Sequence, residues 1–301
     1  MFPVMSLPYG LLCRLGTLSS PVEKYHLQVA GGNFNICPPT IQPCKKENCH
    51  LDAVMTSELT LEKYSEAERK HVPVDLDDDD NTLISESNTL SLNSVEMKHL
   101  SSNVFNHFLI NAPRLNLQCC DTSLEFLRAL SKLCVVPVKD IEFDLSLYRD
   151  FCFKSVFEAF PHASQLQFKN AYFPDNWLTE IMKIQKTKLL YLYINTEPED
   201  VGKFEADELI EFLLAQHERV TLTLEFYELS ESDEYAKMLK KILKKHLVSK
   251  DTHFIRPEQE VRVLASDFRW SYYLPQRRAD KWRVEGPRVV VPRKRTKKRA
   301  D

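Results

Sequence analysis

The sequence predicts an α/β protein: a short solenoid of parallel strands backed by helices, preceded by a small amino-terminal helical hairpin. Three observations carry this expectation. Short stretches of alternating apolar and polar residues recur through the carboxyl two-thirds of the chain. Amphipathic stretches of helical period fill the gaps between them. The amino end is rich in Leu and Pro and carries its own helix punctuation.

The alternating stretches are RLNLQ at Leu115/Leu117, DIEFD at Ile141/Phe143, QLQFK at Leu166/Phe168, LLYLYI at Leu190/Leu192 and VTLTLEF at Leu222/Leu224. The first four follow one another at 26, 25 and 24 residues, and the fifth comes 32 residues later. A strand and a helix that each bury one face must stack on a neighbouring unit, so a constant period of this length is that of a leucine-rich-repeat-like unit. The intervening helices show stripes at Leu127/Leu130/Leu133, Val156/Phe157/Phe160, Trp177/Leu178/Ile181/Met182, Leu209/Ile210/Leu213 and Tyr235/Met238/Leu239/Ile242/Leu243. Thr122 and Glu125 are spaced as a capping box for the first of them. A leucine-rich repeat also places Asn or Cys three positions after its second strand leucine. Cys120 and Asn195 fit that position and Ser146, Ala171 and Tyr227 do not, so the repeat is degenerate.

At the amino end, Leu11, Leu12, Leu15 and Leu18 share one face of a helix that follows Pro8. In the next stretch, SPVE, Ser20 is an N-cap, Pro21 suits the first helical turn and Glu23 completes a capping box. Val22, Tyr25 and Val29 form the second stripe until Gly31-Gly32 stops it. No Lys or Arg precedes Arg14, and Pro3, Pro8 and Gly10 interrupt the apolar run, so a signal peptide is not expected. No stretch reaches the roughly 18 apolar residues that a membrane span needs.

The segment 52–98 contains VDLDDDDNTLISESNTLSLNSVE, acidic and rich in Ser, Thr and Asn, and reads as a flexible linker. Residues 276–301 hold eleven Lys/Arg against three acids while the whole chain carries a net charge of −3, so the remainder is acidic by difference. Within this basic, disordered tail, PRKRTKKR supplies Arg293, Lys294, Arg295, Lys297, Lys298 and Arg299, a run of the type importin reads. Contact with nucleic acid through the same charges is the competing expectation. Just before it, Trp270, Tyr272, Tyr273 and Trp282 interleave with Arg269, Arg277, Arg278, Lys281 and Arg283. Such a mixture either stacks on single-stranded nucleic acid or caps the end of the core, and capping is the favoured reading.

Little points to catalysis. Six glycines, none in a phosphate-cradling pattern, exclude Walker A and G-x-G-x-x-G loops, and no nucleophile–base arrangement is legible. Eight cysteines without a secretory leader read as thiols in a reducing compartment. Cys37, Cys44, Cys49 and His50 lie close together, but spacings of seven and five residues suit zinc poorly, so isolated loop thiols are expected and no metal or cofactor is assigned. Cys119 and Cys120 read as packing residues.

The opening LPYGLLCRLGTLSSPVEKYHLQVAGG resembles the start of an F-box, with matching positions Leu7, Pro8, Leu11, Leu12, Leu15, Leu18, Pro21 and Leu27. With repeats behind it, the chain is similar to the divergent F-box-associated families expanded in roundworms. The resemblance implies a non-enzymatic adaptor that docks Skp1 of a cullin ubiquitin ligase through the hairpin and holds a protein substrate on its repeats. Together with composition and periodicity this gives four regions: 1–51, the F-box-like hairpin with a Pro/Cys-rich extension; 52–98, the linker; 99–275, the repeat domain; and 276–301, the tail. An intracellular protein is expected, in the nucleus or in nucleus and cytoplasm, with no membrane partner.

Overall fold

The computed structural model describes residues 7–32, 42–47, 49–52, 58–65, 68–74, 83–146, 151–249 and 259–275. Two helices, α1 (Tyr9–Leu18) and α2 (Pro21–Gly31), open it. They are followed by β1 (Cys44–Lys46), β2 (Cys49–Asp52), β3 (Thr60–Ser65), β4 (Lys70–Pro73), β5 (Leu83–Glu86), β6 (Thr89–Asn93), α3 (Val104–His107), β7 (Phe108–Ile110) and β8 (Arg114–Gln118). Strand and helix then alternate: α4 (Leu124–Leu133), β9 (Asp140–Asp144), α5 (Phe153–Ala159), β10 (Gln165–Lys169), α6 (Trp177–Ile184), β11 (Tyr191–Asn195), α7 (Ala206–Ala215), β12 (Thr221–Glu225) and α8 (Glu234–His246). The last strands are β13 (Val248–Ser249), β14 (Glu260–Leu264) and β15 (Arg269–Tyr273).

The protein is mixed α/β, built on a large, mostly parallel, open sheet. Its described strands run in the order β13-β15-β14-β12-β11-β10-β9-β8-β6-β2-β3-β4. Pairing is parallel from β2 to β14 and antiparallel at both ends, where β15 and β13 close one side and β3 and β4 the other. A second parallel sheet, β1-β5-β7, comes from strands that each precede a strand of the large sheet after a short turn. Glu86 joins the two layers: its buried carboxylate accepts the Cys49 N–H at 2.8 Å and the Asn88 N–H at 2.7 Å.

Period-two alternation sends one set of side chains into the core. The in-register set Leu90, Leu115, Ile141, Leu166, Leu192, Leu222 and Val261 forms one buried ladder. Leu51, Leu92, Leu117, Phe143, Phe168, Ile194, Leu224 and Val263 form the next. Each such side chain contributes about 1.5–3 kcal/mol by leaving water. Against the ladders lie Phe126, Leu127 and Leu130 of α4, Trp177, Leu178 and Ile181 of α6, Leu209, Ile210 and Leu213 of α7, and Leu239 and Leu243 of α8. One residue beyond each strand the backbone bonds its neighbour again, as in Ser94 N–H to Gln118 O and Cys119 N–H to Asp144 O. Ser94, Cys119 and Asn170 take positive φ there, which turns the chain out of the sheet towards the helix layer.

Four expectations need correction. Residues 58–65, 68–74 and 83–98, assigned to a flexible linker, supply β3, β4, β5 and β6, because TLSLN carries the same alternation as RLNLQ and pairs with it in register. The acidic block 77–80 lies outside the described residues. The fourth repeat strand is registered two residues later than expected: Leu192 and Ile194, not Leu190 and Leu192, align with Leu166 and Phe168. A slip of two preserves which face each side chain takes, so alternation alone cannot detect it; Leu190 is partly exposed at the strand's entrance. With that register, Asn195 ends β11 on the open face, and Glu197 stands where Cys120 stands in its own unit. Finally, α4 is capped by Ser123, whose hydroxyl accepts the Phe126 N–H at 3.2 Å, not by Thr122. The capping box of Ser20 with Glu23 is present as expected.

The thiols yield a direct test. Burial pushes Cys120 and Cys134 up to about 12. Cys49 is also pushed up to about 12, by burial first and then by the Glu86 carboxylate. Cys44 and Cys152 are exposed. Iodoacetamide at pH 8, followed by peptide mapping, is expected to label Cys44 and Cys152 and to spare Cys49, Cys120 and Cys134 until the chain is unfolded. Equal labelling of all five would contradict this packing.

Candidate interaction surfaces

Two surfaces stand out, and each follows from where the sequence puts its unburied residues. The first is the face of the large sheet opposite the helices, onto which the alternate residues of every strand project. Across β8 to β10 it carries Arg114, Asp140, Glu142, Asp144, Gln167 and Lys169, and across β11 to β14 it carries Tyr191, Tyr193, Asn195, Glu225, Glu260 and Arg262. Neighbouring strands pair these groups: Arg114 Nε reaches Asp140 at 2.6 Å, and Lys169 Nζ reaches Glu142 at 2.5 Å. Within β14, Arg262 meets Glu260 at 2.7 Å, and between β11 and β12 Tyr193 donates its hydroxyl to Glu225 at 2.7 Å.

The protonation states follow from these contacts. The hydrogen bond to Glu142 holds the Lys169 ammonium above its ordinary value despite burial. Burial pushes the Asp144 carboxyl up, but hydrogen bonds from Ser146 and Asn170 outweigh it and hold it below the usual range. Burial opposes ionisation of Glu260 in the same way, and Arg262 prevails. Burial, with the bond to Glu225, raises the Tyr193 phenol. The face is a grid of hydrogen-bonded charged and polar groups with two stacked tyrosines, Tyr191 and Tyr193, whose ring centroids lie 6.3 Å apart. Thr223 Oγ1 and Asn195 Oδ1 are buried within it without a hydrogen-bond partner.

The second surface is formed by α1 and α2. Here Tyr9, Leu11, Leu18 and Val29 are 66, 49, 75 and 62% exposed, and none of the four belongs to the core cluster. Of the positions carrying the F-box resemblance, Pro8, Leu11 and Leu18 are exposed, Leu7, Leu12, Leu15 and Leu27 are half-buried, and Pro21 is buried. Packing of α2 on α3 and acceptance of the Gln42 N–H by Gln28 Oε1 at 2.9 Å attach α2 to the remaining fold. Apolar residues thus stay in solvent on α1 and α2, the second of which is anchored.

No family model matches this sequence, and no curated protein and no solved structure matches it either.

Other expectations find their places around these surfaces. Tyr272 and Tyr273 are buried on the antiparallel strand β15, and Trp270 stacks on Phe268 with Lys240 Nζ 4.7 Å from its ring centroid. These aromatics cap the end of the core; Trp282 and the basic cluster Arg293, Lys294, Arg295, Lys297, Lys298 and Arg299 lie outside the described residues. A cleft of about 450 Å³ beside α8 is lined by Phe204, Tyr235, Met238 and Ile242 with Lys241 and Lys245. Among the described residues no helix is long and apolar enough to cross a membrane.

Cys37 lies outside the described residues, and Cys44 and Cys49 do not group with His50 as ligands. His50 instead groups with Glu62 and His71, all three ligand atoms lying within 4.8 Å of one another. Sequence reasoning missed Glu62 and His71. They stand 12 and 21 residues from His50 and meet it only through antiparallel pairing. No local motif signals them.

Proposed function

We propose that this chain is a non-enzymatic interaction adaptor of the F-box and leucine-rich-repeat-like type. In this reading α1 and α2 form a hairpin that docks Skp1 in a cullin ubiquitin ligase. The strand–helix units form a short, degenerate leucine-rich-repeat-like solenoid whose open face holds a protein substrate. The adaptor acts by proximity and breaks no bond itself. The observation that carries the proposal is the exposure of Leu11 and Leu18, with Tyr9 and Val29 beside them, on helices attached to an otherwise well-buried fold. The polar grid supports the substrate half: a segment laid on it is recognised by hydrogen bonds and charge rather than by apolar anchors.

The test is affinity purification of the full chain alongside the double variant Leu11→Asp, Leu18→Asp. Because both side chains are exposed, the variant is expected to keep its far-UV spectrum and melting temperature while losing Skp1 by at least about tenfold, the equivalent of roughly 1.4 kcal/mol. If the parent chain captures no Skp1, or the variant captures it equally well, the ligase reading fails.

A second reading rests on the eleven Lys/Arg of residues 276–301. It makes the chain a nuclear protein that contacts nucleic acid through its tail, imported by way of Arg293 to Arg299. It requires steeply salt-dependent binding that disappears when 276–301 is deleted.

A further inference from the structure

We propose that His50, Glu62 and His71 bind a divalent cation of borderline softness, zinc above all, as a three-ligand clip across β2, β3 and β4. The site is independent of the adaptor reading and lies at the antiparallel end of the open sheet face. Three observations build it.

The first is register. His50 pairs directly with Glu62, and His71 pairs with Tyr64, the next residue of β3 on the same face. Leu51 and Leu61 point the opposite way and are buried, which fixes the orientation of their neighbours on strands β2 and β3. Three ligand-bearing positions on adjacent strands are thus held on one surface by the ladder itself rather than by a loop.

The second is distance. His50 Nε2 lies 3.1 Å from Glu62 Oε2, and the His50 and His71 rings meet edge to face with centroids 4.1 Å apart. Zinc bonds of roughly 2.0–2.1 Å in tetrahedral geometry place ligand atoms about 3.3 Å from one another. The His50–Glu62 pair is already near that separation. His71 sits exposed on the edge strand, where a small side-chain rotation closes the remaining gap.

The third is the donor set. Two imidazoles and one carboxylate match the ligand chemistry of zinc sites that keep an open fourth position, whereas magnesium and calcium favour all-oxygen sets. An ordinary ion pair uses Glu62 with one protonated imidazole and leaves the second imidazole crowded against the first. A divalent cation uses all three. Asp52, two residues from His50 on the same face and receiving Asn93 Nδ2 at 3.0 Å, adds negative charge nearby. Bound metal would tie edge strand β4 back to β2 and so secure the end of the sheet against opening.

The experiment uses the full chain, stripped with chelator and then titrated with zinc chloride by calorimetry, with magnesium chloride in a parallel arm. Zinc is expected to bind in one equivalent and to slow hydrogen exchange in residues 60–73, and magnesium is expected to do neither. His71→Ala, an exposed position, and Glu62→Gln should each weaken zinc by roughly tenfold or more, while Cys44→Ser should not. Cobalt in place of zinc should show visible d–d bands without a thiolate charge-transfer band. Absence of zinc binding at about 100 µM free metal, a thiolate band with cobalt, or unchanged affinity in His71→Ala would each overturn the site.

Discussion

Replacing Phe168 with alanine is expected to destabilise the protein by about 3–5 kcal/mol, read as a loss in urea-derived unfolding free energy. Phe168 is fully buried and lies where four other rings converge. Phe143 stacks on it at 5.2 Å with planes 5° apart, and Phe151 stacks at 4.6 Å. Phe153 and Phe173 meet it edge to face at 5.6 and 5.7 Å. Phe143 comes from the neighbouring strand, Phe153 from α5, and Phe173 from the turn leading to α6, so the ring joins strand to strand and sheet to helix layer. Truncation leaves a cavity that these partners cannot fill without leaving their own contacts, and it removes favourable ring–ring geometry as well. Tyr172→Ala, at a half-exposed neighbour, is the control and should change stability by less than about 0.5 kcal/mol. A cost below that level at Phe168 would mean that the aromatic cluster is not formed.

Gly202→Ala should cost about 3 kcal/mol by overpacking. A Cβ at this position would stand 2.3 Å from Pro174 O, 2.4 Å from Pro174 C and 2.6 Å from Asp175 N. All three are backbone atoms, so no side chain can swing aside. The two loops are drawn together by the Phe173 N–H on Asp200 O at 2.8 Å and by the Lys203 N–H on Asp175 Oδ1 at 2.8 Å, bonds that separation of the loops would weaken. Gly10→Ala makes the opposite prediction: nothing lies within 4 Å of the added methyl on α1, so helix propensity should stabilise the variant by about 0.5–1 kcal/mol. Parallel denaturation curves for the two glycine variants separate the effects. Equal midpoints would show that the close approach at Gly202 does not exist.

What was legible in the sequence followed from periodicity. The helices α4, α6, α7 and α8 were recognisable because their apolar residues recur at three and four positions. The strands at Leu115, Ile141, Leu166 and Leu222 were recognisable because theirs alternate. The Ser20–Glu23 capping box was legible because both partners lie within one turn. Where a feature depended on longer-range context, local reading failed. TLSLN has the alternation of its neighbours, but the acidic, hydroxyl-rich residues before it outweighed that signal. At β11, two registers differing by two residues bury the same kind of side chain, and only the hydrogen bonds of β10 distinguish Leu192 from Leu190.

The candidate surfaces divide along the same line. Apolar helices at the amino end are a property of the sequence, since composition and spacing suffice to place Leu11, Leu15 and Leu18 on α1. Which of them remain in solvent is decided by tertiary packing: Leu11 and Leu18 are exposed and Leu15 is half-buried. The open face shows the contrast more sharply: each strand specifies its outward residues, but apart from Arg262 with Glu260 on β14 the charge pairs named above join different strands. Arg114 finds Asp140 and Lys169 finds Glu142 only when parallel strands align.

Sequence by itself determined an α/β chain of alternating strands and helices with an apolar amino end and a basic carboxyl end, because those traits are periodicity and composition. Tertiary structure alone decided the strand register, the antiparallel edges and the meeting of His50 with Glu62 and His71. The physical reason is range: propensity and capping act within a turn or two of chain, whereas backbone hydrogen bonds between strands bring together residues whose separation in sequence carries no signal.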